Sequence, residues 1–297
     1  MNRHLLALTC ASALLFPAAA SAQVTDYNIF EENFLTQTGP GTATSNANGW
    51  TFTANLTTAT SLDTDSATVT APDSTVYVMD TASPGSSPAV YTTQQNFSSQ
   101  AALETAFPTN SSYTFWLYSD AGTDTGAITF PSVGTGAGQI SYPSATPLIS
   151  NYAAMQNLNA AQDFTFTFSG FNVVNGLTEQ DLFLDVFNAD TSAEVFSADF
   201  LAPTTTGVTL AANTLQAGTD YYVVLDYSNR LDTGDFGFGD LNGNDGDGFP
   251  TPYVGLDLNT IAYFTTDSVA VPEPGTIPMF LAGAGLLVFG RRFLRRG

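Results

Sequence analysis

The chain has 297 residues, 12% of them aromatic, and a formal net charge of −21 at pH 7. Its basic residues sit at the ends, Arg3 at one and Arg291, Arg292, Arg295 and Arg296 at the other, so Arg230 is the one basic residue between them. A body without basic charge cannot displace counterions from phosphates, which excludes nucleic acid as a partner. The single Cys10 and single His4 also lie at the N-terminus, so His-dependent triads, disulfides and Cys/His metal sites are excluded from the mature exterior.

The first residues read as an address. Arg3 and His4 precede an apolar stretch over 5–20, broken by Thr9, Cys10, Ser12 and Pro17, and Ala20-Ser21-Ala22 supplies the small residues a signal peptidase reads. This pattern predicts a cleaved secretory signal over 1–22, with a mature chain starting at Gln23. A retained N-terminal anchor is the competing reading. Ala7-Leu8-Thr9 is a poor lipobox, so Cys10 does not mark a lipoprotein.

Short runs of alternating apolar and polar residues follow. They occupy 74–79, 113–118, 164–168, 182–187 and 221–227, with further candidates at 194–200, 207–210 and 261–265. Period two with aromatic and β-branched residues predicts half-buried strands. Gly, Asn, Asp and Pro clusters separate them at the spacing of β-sandwiches. One interruption, 99–107, contains Ala101, Ala102, Leu103 and Glu104 and predicts a two-turn crossover helix. The fold class expected is all-β, with one or two antiparallel β-sandwich domains.

Leu215-Gln-Ala-Gly-Thr-Asp-Tyr221 places a Leu six residues before a Tyr that opens a strand. This resembles the tyrosine corner of fibronectin type III and immunoglobulin-like sandwiches, in which the Tyr hydroxyl bonds back to the backbone. Phe107-Pro-Thr-Asn-Ser-Ser-Tyr113 is a weaker copy without the Gly. The resemblance implies an N-terminal sandwich over 24–131 and a fibronectin-like sandwich over 144–267, with the Gly-rich segment 132–143 between them read as a linker, the alternative being a last strand with its exit loop.

Three groups of residues carry candidate chemistry. Asp240, Asn242, Asn244, Asp245 and Asp247 set oxygen-bearing side chains close together in a Gly-rich loop, a layout that suits calcium. The loop departs from the EF-hand pattern, with Asp245 where Gly is expected and no Glu at the twelfth position. A plain Asn/Gly/Asp turn is the favoured alternative. Glu31, Glu32, Glu104, Glu179 and Glu194 are the glutamates available for a two-carboxylate glycosidase, a remote reading because none lies in a recognisable motif. Trp50, after a turn, and Trp116, in an alternating strand, are candidate platforms for a carbohydrate ring, against the commoner role of Trp as core.

The end of the chain repeats the theme of export. Val271-Pro272-Glu273-Pro274-Gly275 precedes a short Gly-containing apolar run, a candidate spanning helix over 276–290. Arg291, Arg292, Arg295 and Arg296 would hold the end in the cytoplasm. Pro272-Glu273-Pro274, the helix and the terminal arginines together resemble the PEP-CTERM sorting signal over 271–297. An ordinary membrane tail would not require Pro-Glu-Pro. The resemblance implies processing by an exosortase, transient anchoring in the inner membrane, and a Gram-negative host that makes exopolysaccharide and biofilm. The expectation is therefore a non-enzymatic structural or interaction protein of the envelope or matrix, with a surface carbohydrate-binding module as the alternative.

Overall fold

The computed structural model describes residues 24–59, 66–81, 89–119, 122–174, 176–233 and 252–267. The expected signal peptide, the spanning segment 276–290, the sorting signal 271–297 and the loop 240–247 lie outside the described residues.

Two long strands open the described chain, β1 (Val24–Gly39) and β2 (Thr42–Thr58), joined by Pro40-Gly41. Gly41 takes φ +68°, which a side chain would resist, and so closes the hairpin. Next come β3 (Ser66–Thr70), β4 (Val76–Thr81), β5 (Ala89–Phe97), the helix α1 (Gln100–Ala106), β6 (Ser111–Ser119) and β7 (Gly122–Phe130). The second half contributes the single-turn helix α2 (Tyr152–Met155), then β8 (Phe164–Thr167), β9 (Glu179–Asn188), β10 (Glu194–Leu201), β11 (Gly207–Leu210), β12 (Asp220–Asp232) and β13 (Tyr253–Thr265). The expected helix is present: Ser99 caps it, accepting from the Ala102 N–H at 3.2 Å, and Leu103 fixes its buried face.

Strand pairing gives an 11-stranded sheet in the order β10-β9-β12-β13-β1-β2-β5-β4-β3-β6-β7, beside a two-stranded sheet β11-β8. Its first half folds over itself. Tyr27 and Ile29 of β1 and Phe52, Ala54 and Leu56 of β2 face Tyr113, Phe115 and Leu117 of β6, with the Tyr27 and Phe115 rings 5.2 Å apart. Phe107, just past α1, stacks on Phe52 at 3.7 Å. Burying one such ring contributes about 1.5–3 kcal/mol, so the alternating aromatic residues hold the two layers together. In the second half, Leu182, Leu184, Val186, Val223, Leu225 and Phe264 turn toward the β8-β11 pair, where Phe166 meets Phe264 edge-on at 6.2 Å. The all-β sandwich architecture read from the alternation is present in both halves.

One pairing departs from the antiparallel expectation. β1 runs parallel to β13, from Asn28↔Tyr253 to Thr36↔Ile261. The first and last described strands are thus neighbours, and one sheet is continuous through both cores. The segment 132–143 is also packed rather than free. Ile140 is fully buried in the first core. The Ser141 carbonyl accepts from Asn229 Nδ2 at 2.6 Å, and the Gln37 amide makes two bonds to the Ile149 backbone at 2.9 Å.

Both tyrosine corners form. The Tyr221 hydroxyl accepts from the Gln216 N–H at 2.9 Å, and the Tyr113 hydroxyl donates to the Pro108 carbonyl at 3.0 Å. The two bonds share position and differ in direction, and the Tyr113 corner forms without the Gly. Each tyrosine is buried, so removing its hydroxyl strands a backbone group. Tyr221→Phe and Tyr113→Phe should each lower unfolding free energy by about 1 kcal/mol. Because they sit in different cores, the double variant should lose the sum in urea titration. Melting curves identical to the parent would show that the corners carry no stability.

Candidate functional site

The two tryptophans occupy opposite kinds of surface. Trp50 shares the inward face of β2 with Phe52 and Ala54; it packs on the first core and meets Tyr142 edge-on at 5.6 Å. It serves as packing rather than as a platform. Trp116 points the other way, because β6 turns Tyr113, Phe115 and Leu117 inward. Tyr118 follows on the same outward face, 41% exposed, and its ring lies 6.5 Å from that of Trp116 with only 11° between planes. The register Trp116↔Thr68↔Val78 continues this face across β3 to β4, where Val78 is 67% exposed. The result is a strip with two near-parallel, stacked rings and apolar and hydroxyl neighbours. Sequence reading identified Trp116 and missed Tyr118, although the alternation that turns Trp116 outward does the same for residue 118.

The five glutamates do not assemble into a pair. Glu31 and Glu32 are consecutive in a strand and so point to opposite faces. Glu104 lies exposed on α1, bonded to Gln100 at 2.8 Å; Glu194 is exposed on β10; Glu179 faces Arg230 at 3.6 Å. Glu31 is 1% exposed under the sheet, where it accepts from the Tyr142 hydroxyl at 3.1 Å. Burial pushes its carboxyl up to about 7, the Tyr142 bond opposes this, and Glu104 adds to it.

The opposite face collects carboxylates that sequence reading missed. The registers Glu32↔Asp257↔Ser228 and Asn259↔Asp226 bring Glu32, Asp257 and Asp226 onto one face of β1, β13 and β12. Thr53 donates to Glu32 at 2.8 Å and Ser228 to Asp257 at 2.6 Å, while Asp226 Oδ1 is buried without a partner among the described residues. All three are raised above the usual carboxylate range, chiefly by burial, with Asp257 adding to Asp226 and Glu32 adding to Asp257. Nearby stands Arg230, within 5.3–5.6 Å of the Phe30, Phe183 and Tyr253 ring centroids and donating to Ser228 at 3.2 Å. Gly255 makes room for this cage, because a Cβ there would meet the Phe30 ring at 2.2 Å. Among the described residues no set of three His, Cys, Asp or Glu side chains is arranged to hold a metal ion. The calcium reading therefore concerns only the loop 240–247, outside the described residues.

With the geometry in view, comparison with known proteins adds a destination. Residues 270–296 match the PEP-CTERM protein-sorting motif. This chain carries a PEP-CTERM sorting signal. It is exported, anchored transiently in the membrane, and sorted to the cell surface. No curated protein matches it. Among solved structures, the FN1–FN3 domains of chicken CNTN1 are similar at 10% identity and TM-score 0.24, over 72% of this chain and 62% of that one. A cytokine receptor complex is similar at 10% identity and TM-score 0.20, over 60% of this chain and 79% of that one. The sandwich assignment rests on the strand pairing and the two cores described above.

A folded-state carboxyl raised above its unfolded value contributes stability that is full below the unfolded value and lost as pH rises through the folded one. For Glu31 that window runs from 4.5 to about 7, and Glu32, Asp226 and Asp257 act in the same direction. Denaturant titrations should show the protein losing stability from mildly acidic to mildly alkaline pH. Glu31→Gln, which mimics the protonated side chain, should remove on the order of 3 kcal/mol of that loss. A parent protein that gains stability over the same pH range would refute the assignment.

Proposed function

We propose that this exported surface protein is a non-enzymatic structural component of the envelope or extracellular matrix that holds polysaccharide on the Trp116–Tyr118 strip. The observation that supports the reading is the pair of near-parallel, stacked rings on an outward sheet face. Aromatic faces stack on the apolar faces of sugar rings, and two neighbouring exposed rings offer more such surface than one. The flanking Thr68 and Thr125, register partners of Trp116, are hydroxyl-bearing and uncharged. This composition suits a sugar more than an ion.

Position favours the same reading. The register pairs Tyr118↔Ser66, Asp80↔Thr92 and Asn55↔Asn28 place the strip toward the end of the sheet where β1 begins. The sorting segment follows the opposite end, where β13 finishes at Thr265. An anchored molecule would present the strip away from its tail.

Purified exopolysaccharide from an exosortase-bearing host should retain the protein saturably. Trp116→Ala should weaken retention about tenfold, in line with the loss of one stacking ring worth ~1.4 kcal/mol, without moving the melting temperature. Trp50→Ala should instead lower the melting temperature, because it opens the first core. Equal retention of Trp116→Ala and parent would sink the strip as a binding site.

The sorting segment is testable independently. Truncation before Val271 should move the protein from the membrane fraction to periplasm or medium. If the truncated chain stays with membranes, the anchor lies elsewhere.

A further inference from the structure

A second aromatic surface lies on the other half of the molecule. Phe187 of β9, Tyr222 of β12 and Tyr263 of β13 are direct register partners across three neighbouring strands. Phe187 and Tyr222 stack at 5.1 Å with 16° between planes, and Tyr222 and Tyr263 follow at 5.8 Å and 49°. The ladder spans two strand spacings, about 10 Å. Tyr263 is 55% exposed, far more than packing requires. A shallow groove of about 320 Å³ opens beside it, lined by Tyr263, Gln156, Asp220 and Thr265.

The charge around this ladder has one sign. Glu194 is the register partner of Phe187 on β10, Asp185 precedes Phe187 by two positions on the same face, and Asp220 lies in the groove. Among the described residues the one basic side chain is Arg230, engaged with Glu179 and three rings. Trp116 of the other strip has Thr68 and Thr125 as its direct register partners instead. We infer that the Phe187–Tyr222–Tyr263 ladder and its groove bind a polysaccharide bearing protonated amines, an amino-sugar polymer with part of its nitrogen unacetylated.

Each part of the surface has a role in that recognition. The rings stack against the sugar faces, and the quadrupole of Tyr222 and Tyr263 attracts an ammonium group. Asp220 and Glu194, both exposed, supply the opposite charge along the track, which a neutral polymer would not use and an acidic polymer would be repelled by. The Thr265 hydroxyl, which donates to Asp220 Oδ1 at 2.5 Å, holds that carboxylate at the groove. The inference is independent of the strip on β6, since the two surfaces share no residue.

The test uses the exported protein purified in detergent, with partially deacetylated chitosan as probe and fully acetylated chitin oligomers and poly-lysine as comparisons, at mildly acidic pH and about 0.15 M salt, where exposed charges are screened beyond ~8 Å. Chitosan should bind at least tenfold more tightly than the acetylated oligomers. Tyr263→Thr, an exposed change that keeps strand preference, should reduce chitosan affinity about tenfold and leave poly-lysine binding unchanged; Asp220→Asn should reduce it severalfold. Trp116→Ala should leave chitosan binding intact, which separates this surface from the strip. Unchanged chitosan affinity in Tyr263→Thr and Asp220→Asn, in variants that melt like the parent, would reduce the attraction to general charge and overturn the inference. So would acetylated oligomers binding as tightly as chitosan.

Discussion

The parallel pairing of β1 with β13 is the constraint on which the rest depends. Nine consecutive residue pairs join the first described strand to the last, so neither half can complete its sheet without the other. Parallel neighbours need a long crossover between them, and here the crossover is nearly the whole chain. Both flanking strands, β2 and β12, are then recruited as antiparallel partners of this central pair. The polar clamp of Gln37 on Ile149 and Asn229 on Ser141 pins the passage between the two cores against the same centre.

That central pair also explains where the acids go. Glu32 and Asp257 lie side by side because their strands are parallel and in register, and Asp226 joins them from β12. Burial then holds their carboxyls toward the neutral form, which lets three acids share one face near a single arginine. Arg230 is itself placed by aromatic rings on three different strands, β1, β9 and β13. An arginine fits this position because its planar, weakly hydrated guanidinium stacks on rings while still donating to Ser228. Much of the formal negative charge in the centre of the sheet is therefore masked, and the charge that partners meet comes from the rims and the other half of the surface.

The outward faces have a division of labour that the inward faces do not. Inward, both halves use the same device, alternating aromatic and aliphatic residues fixed by a tyrosine corner. Outward, the first half sets two near-parallel rings beside threonines, and the second sets a three-ring ladder among carboxylates. Edge strand β10 carries a register shift between Ala198 and Leu201, with Phe200 at φ +52°. Such a bulge spoils the edge as a template for pairing with other chains.

Sequence by itself determined the local features, because those depend on neighbours within a few residues. The alternation at 113–118, 182–187 and 221–227 specified strands and which side chains turn inward, and Leu215 to Tyr221 specified a corner closed five residues back. Ser99 and Leu103 specified a capped helix, and Pro272-Glu273-Pro274 with its arginines specified a sorting segment. The tertiary structure decided whatever depends on register between distant strands. A one-residue slip exchanges the faces of a strand, so no reading of β1, β12 and β13 in isolation could bring Glu32, Asp226 and Asp257 together. The same holds for Trp50 and Trp116: each sits in a plausible strand, but only the packing of Trp50 on Tyr142 and the turn of Trp116 toward Tyr118 divided core from surface. Alternation assigns a side chain to a face, and the fold then decides what that face meets.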